Sequence, residues 1–246
     1  MLSNYIKYII VLFVIAELLI PQKFSSIQNK LTKEQQQIIA QASALENSGL
    51  LDEAIIAYQD IITKFPTLQI VFDKLKKIYI NKRELDELLK ISEQYIKSSN
   101  YSINSKINVL DVYIITDNEE WRNIVQILYN KPINLVHIKK TLLILFKYNK
   151  SSAASDLIEY IRTETKHKGF YALELGNFFT LELDFNSAIN EYLIYLSEKP
   201  KNIQFITQRI MSLADYNIAI EPIKNKLSSN SSTYCTLSLQ VQGFDW

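Results

Sequence analysis

Ala54, Leu88, Ala154 and Ala188 stand on an even ladder, broken only by a double step between Leu88 and Ala154. Pro66, Pro132 and Pro200 keep time with it, each two steps from the next. A fixed period of this length marks a chain of like helical units, each burying its apolar face against its neighbours. Arrays of this kind hold other molecules rather than carry out chemistry.

Two copies are clearest. In the later one, Ala172, Leu175, Gly176 and Phe179 are followed by Ala188, Tyr192 and Pro200. In the earlier one, Ile38, Ala42 and Leu45 lead to Gly49, Ala54, Tyr58 and Pro66, with Gln41 in the place of a leucine. Both keep an order of small, small, aromatic, proline. This order resembles the tetratricopeptide repeat pattern W-x₂-L-G-x₂-Y, A-x₃-F, P, with Ala172 standing where a tryptophan is usual. An ordinary helical bundle produces one such copy by chance. Two copies far apart in the chain, with a phased helix-turn-helix pattern between them, make coincidence a poor account.

The residue types have a physical reason. A small side chain at Ala42 or Gly176 on the first helix of a hairpin lets Ala54 or Ala188 on the second approach closely. Tyr58 and Tyr192, one turn beyond those alanines on the same face, fill the space against the next hairpin. Pro66 and Pro200 cannot continue a helix and end the second one. The middle copies keep the period and lose the consensus. Residues 85–88 (Leu-Asp-Glu-Leu) repeat residues 51–54 (Leu-Asp-Glu-Ala), with Leu75 and Tyr79 on the helix before. A third hairpin pairs Val109, Leu110 and Tyr113 with a helix over residues 119–129, closed by Lys131 and Pro132. A fourth runs over 142–146 and then 151–161, and a poorer sixth over 205–213 and 218–227.

The resemblance implies an all-α fold, a right-handed α-α superhelix (a tetratricopeptide-like solenoid) of five to six helical hairpins over residues 34–228. It implies that the first helix of each hairpin lines the binding groove. The groove candidates are then Ser43, Glu46 and Asn47 early in the chain, and Phe170, Leu173, Asn177 and Thr180 late. Asn177 follows Gly176 as the clamp asparagine does in family members that grip terminal carboxylates, but the lysines and arginine that complete such a clamp are not matched in the neighbouring first helices.

Composition agrees with helix: 48% of the 246 residues are hydrophobic and there are 4 glycines and 5 prolines, too few breakers for an all-β chain. With 27 basic and 26 acidic residues the chain lacks the positive field that nucleic-acid binding relies on, which disfavours an RNA-reading helical repeat. No catalytic or cofactor site is expected. His137 and His167 are far apart in sequence with no second ligand at metal spacing, Cys235 has no histidine nearby, and no glycine-rich phosphate loop occurs. Asp52-Glu53 and Glu119-Glu120 read as helix-start residues that complement the macrodipole. The lysines at 74, 76, 77, 139 and 140 read as solvated faces.

Residues 1–20 form a separate element: Lys7, an apolar stretch over residues 8–16, Glu17, then Leu18, Leu19, Ile20 and Pro21. A membrane span needs about 20 apolar residues, and the expectation is either a signal peptide or an N-terminal membrane anchor through residues 5–20, with a buried cap helix as the lesser alternative. Residues 21–33 read as a polar linker and 229–246 as an irregular tail, which includes a strand-like alternation or the start of a truncated further repeat. The expected function is a protein-interaction scaffold of a bacterial cell envelope, exported to the periplasm or membrane-anchored, which holds a protein or peptide partner in its groove. The alternative is an accessory subunit of a membrane-associated enzyme or assembly complex.

Overall fold

A computed structural model describes residues 31–229. The apolar segment, most of the linker, Cys235 and the tail beyond 229 lie outside the described residues. Twelve α-helices follow one another, with no strand among the described residues: α1 (Lys33–Asn47), α2 (Leu51–Lys64), α3 (Gln69–Lys82), α4 (Leu85–Ser98), α5 (Ile103–Ile115), α6 (Glu120–Ile127), α7 (Leu135–Lys147), α8 (Ser151–Thr165), α9 (Ala172–Leu181), α10 (Phe185–Glu198), α11 (Ile203–Leu213) and α12 (Ile220–Ser229). In chain order they make six helix-turn-helix hairpins. The described residues divide into two compact bodies, one up to residue 78 and one from residue 79.

In the first body, α1 starts on a capping box. Thr32 Oγ1 accepts from the Gln35 amide at 3.2 Å, and Gln35 Oε1 accepts from the Thr32 amide at 2.9 Å, so two otherwise orphaned donors are satisfied. Asp52 and Glu53 open α2, and the helix ends at Lys64, just short of Pro66. Ala42, Ala54 and Tyr58 are fully buried. The small residues thus stand at the helix crossing and the tyrosine ring fills the space beside it.

In the second body the ladder residues Leu88, Ala154 and Ala188 are again completely buried, and Trp121, close to one step after Leu88, fills the rung where the consensus lapses. Gly176 shows why a side chain is excluded there. A Cβ on it would lie 2.7 Å from Tyr192 Cε1 and 3.3 Å from the Ala188 carbonyl oxygen. The end of this body closes on one core of Phe185, Ala188, Ile189, Tyr192, Leu193, Leu196, Ile206, Ile210, Leu213, Ala219 and Ile223.

Five of the six turns from a first to a second helix are made alike, the one from α11 to α12 being the exception. Gly49, Arg83, Asp117, Asn149 and Leu183 all take the left-handed backbone conformation, with φ between 54° and 80°, and they succeed one another at nearly the step of the ladder. The next amide then reaches back to the carbonyl five positions earlier: Leu50 to Leu45, Glu84 to Tyr79, Asn118 to Tyr113, Lys150 to Leu145 and Asp184 to Phe179, at 2.8–3.1 Å. This is the Schellman closure of a helix end, which satisfies the carbonyls left over in the last turn.

The middle of the chain differs in detail from its sequence reading. The second helix of the third hairpin covers only Glu120–Ile127, and residues 128–130 form a turn instead of continuing it. In the fourth hairpin α7 begins earlier than the 142–146 expected, because Asn134 caps it by accepting from the amides of Val136 and His137, and α8 runs past the expected 161 to Thr165. Helix α5 is buried nearly all round, Asn108 and Asp111 included, as befits a helix enclosed on several sides.

Candidate partner-binding surface

The buried tyrosines of the second helices send their hydroxyls out at the first helices, where polar side chains meet them. In the first body Tyr58 donates to Glu46 Oε2 at 2.8 Å and stands 2.9 Å from Ser43 Oγ, while Lys74 donates to the same Glu46 oxygen at 2.9 Å. Burial raises the Glu46 carboxyl pKa, but the hydrogen bonds from Lys74 and Tyr58 and the charges of Lys74 and Lys77 outweigh it. The group ends below its ordinary value. Lys74 is raised in turn, chiefly by its hydrogen bond to Glu46.

The second body repeats the arrangement with amides. Tyr192 donates to Asn177 Oδ1 at 2.9 Å, with Thr180 Oγ1 at 3.1 Å, and Arg209 of α11 donates to the same Asn177 oxygen at 2.9 Å. The Arg209 guanidinium lies over the Phe205 ring, 5.1 Å from its centre. Burial pushes the Tyr192 hydroxyl pKa up, so it stays a neutral donor. Nearer the start of this body, Asn108 Nδ2 donates to Tyr95 Oη at 3.0 Å, and Lys140 of α7 donates to Asn108 Oδ1. In each network a cation from a later first helix is held by the polar group that a tyrosine orients.

Most of the expected groove residues belong to these networks or stand beside them. Ser43, Glu46, Asn177 and Thr180 are members, Asn47 is exposed, and Leu173 is half-buried against the last core. Phe170 is a correction. It precedes α9, which begins at Ala172, and is only 3% exposed, with its carbonyl accepting from Arg162 Nε at 3.1 Å. A residue so enclosed presents no side chain to a partner.

Sequence reasoning missed the face of α7. Val136 and Leu143 are 58% and 63% exposed, with Lys139 and Lys147 exposed beside them. The signal was available, since 136, 139 and 143 lie one repeat step before 170, 173 and 177. It also missed the pair between Arg162 and Glu191, where Nη1 meets Oε1 at 3.0 Å and Nη2 meets Oε2 at 2.6 Å, both side chains nearly buried.

The two histidines do not converge. His137 Nε2 lies 2.8 Å from Asn104 Oδ1, and burial first and Lys140 second lower its pKa; His167 Nε2 lies 2.7 Å from Glu198 Oε2. Among the described residues no group of three or more His, Cys, Asp or Glu side chains is placed to hold a metal. No helix among them is long and apolar enough to cross a membrane.

No protein-family model matches the chain, and no curated protein matches it. Solved structures do resemble it. PilW, a type IV pilus biogenesis factor, is 11% identical over 86% of this chain and 100% of its own, with a TM-score of 0.42. PilF of Pseudomonas aeruginosa is 12% identical over 84% and 96%, with a TM-score of 0.43. A tetratricopeptide repeat protein from Parabacteroides merdae is 14% identical over 79% and 78%, with a TM-score of 0.44. At such TM-scores these likenesses carry no argument about fold or partner, and the fold rests on the helices described above.

Proposed function

We propose that this chain is a protein-interaction scaffold of the cell envelope, non-catalytic in itself, which seats a partner peptide or helix against its first helices. One observation carries the reading. On α7, aliphatic side chains face solvent at the register positions that alternate with the buried set Ile138, Thr141, Leu142 and Leu145. A soluble helix ordinarily keeps such a face polar, and exposed aliphatics among fixed polar groups are what a binding surface offers. Within the same body Leu173, Asn177 and Thr180 extend the proposed surface on α9; in the first body Asn47 is the corresponding candidate on α1. The apolar segment at residues 8–16 supports export or tethering through residues 5–20.

Capture of the tagged full chain under mild detergent tests the scaffold reading. The expected result is a discrete partner recovered with the native chain and lost with Leu143→Asp, whose helical content and melting are unchanged. Equal recovery on both chains contradicts the surface, and turnover by the isolated chain contradicts the non-catalytic reading. Intact mass of the mature protein decides the N-terminus: a mass including residues 1–16 in the membrane fraction favours the anchor over cleavage.

A further inference from the structure

Resting on that reading, we infer that the surface around α7 takes an acidic, aliphatic segment of a partner protein. Helix α7 carries Lys139, Lys140 and Lys147 and not one acidic residue. Val136, Lys139, Leu143 and Lys147 fall at i, i+3, i+7 and i+11, one stripe of a helix, and all four are exposed. Lys139 and Lys147 take part in no ion pair among the described residues; their ammonium groups lie over aromatic rings, Lys139 6.0 Å from the centre of Phe170 and Lys147 5.1 Å from that of Tyr148. The exposed Arg209 likewise meets an amide, a tyrosine hydroxyl and the 40%-exposed Phe205, not a carboxylate.

Two second helices of the same body, α8 and α10, have the opposite balance. Helix α8 carries Asp156, Glu159 and Glu164 against Arg162, and α10 carries Glu191 and Glu198 with no basic residue. In this part of the chain the cations thus stand beside the exposed aliphatics of α7 and the anions on α8 and α10, whereas exposed Ile56 on α2 has Asp52, Glu53 and Asp60 on its own helix. Complementary potential of this kind selects an acidic partner and hastens its encounter. The first helices are not uniformly basic, since Glu174 is exposed on α9, so the preference centres on α7. An anionic membrane would match the same charges. Val136 and Leu143 are too little apolar surface for that, because interfacial helices bury a full apolar face, usually with Trp, Phe or Leu, into the acyl boundary.

Selection of a random peptide display library on the immobilised full chain tests the inference, read against the Lys139→Glu/Lys147→Glu double variant and Leu143→Asp, with phosphatidylserine vesicles as a separate arm. The expected outcome is enrichment of peptides that combine Asp or Glu with Leu, Ile or Val. Their binding should weaken about tenfold or more in the double variant and at high salt. Neutral or basic peptides that Leu143→Asp abolishes would keep the binding surface and overturn its acidic preference. Acidic peptides that bind the double variant undiminished would overturn the placement on α7. No enrichment, whether or not the vesicles bind through Lys139 and Lys147, would overturn this inference and the scaffold reading together.

Discussion

Gly176 is the residue whose chemistry is most tightly fixed. Alanine there gains about 1 kcal/mol of helix propensity, but its Cβ would fall 2.7 Å from a tyrosine ring that Asn177 and Thr180 hold by the hydroxyl. Overpacking costs about 1–3 kcal/mol, so Gly176→Ala is expected to lose roughly 1–2 kcal/mol in a denaturant titration; a neutral or stabilising result would mean that the ring has room to move. The Arg162–Glu191 pair makes a second prediction. Both side chains are nearly buried and bidentate, so Arg162→Met, which strands a carboxylate, is expected to cost about 3–5 kcal/mol. Adding Glu191→Leu should recover most of the loss. If the double variant is as unstable as the single one, packing and not the stranded charge is responsible. Glu46 sets an acid limit. Its folded pKa lies below the unfolded one, so its contribution to stability is full above the unfolded value and fades as pH falls through the folded value. Stability of Glu46→Gln measured across the acid range should accordingly be flatter with pH than that of the native chain.

At the scale of elements, the recurring turn is the least visible feature. The left-handed position is filled in succession by Gly, Arg, Asp, Asn and Leu, so only Gly49 advertised it, although the five stand at nearly the repeat period. A left-handed conformation costs a β-carbon-bearing residue about 1–2 kcal/mol, of which glycine's greater unfolded freedom returns a part. Leu183→Gly is therefore expected to raise stability by about 0.5–1 kcal/mol in thermal melts, whereas Asn149→Gly should change it less, because asparagine tolerates this region. An unstable Leu183→Gly would show that the half-exposed leucine contributes packing that outweighs the strain. The ladder alanines, the prolines and the paired acids at second-helix starts were legible because each acts close to its own position in the chain. The short α6 and the all-round burial of α5 were not, since they depend on what packs against them. The tyrosine networks were hidden for the same reason: Lys74, Lys140 and Arg209 come from the first helix of the hairpin after the one that holds Glu46, Asn108 and Asn177 respectively. The exposed stripe of α7 was legible in principle, and only the habit of reading lysines as solvated faces concealed it.

For the whole molecule, the repeat period and the helix order follow from sequence, while function rests on which face is left open. Within each body the hydroxyls of Tyr58, Tyr95 and Tyr192 bind polar side chains of first helices, and those groups are fixed before any partner arrives. Such pre-organisation lowers the ordering cost of binding. The partner is expected on that face, and site-specific photo-crosslinking in the living cell tests this most directly. A photoreactive residue at exposed Leu143 on α7 is expected to give a discrete high-mass adduct, and one at exposed Asp156 on α8 none. Adducts from position 156 with none from 143 would contradict the account.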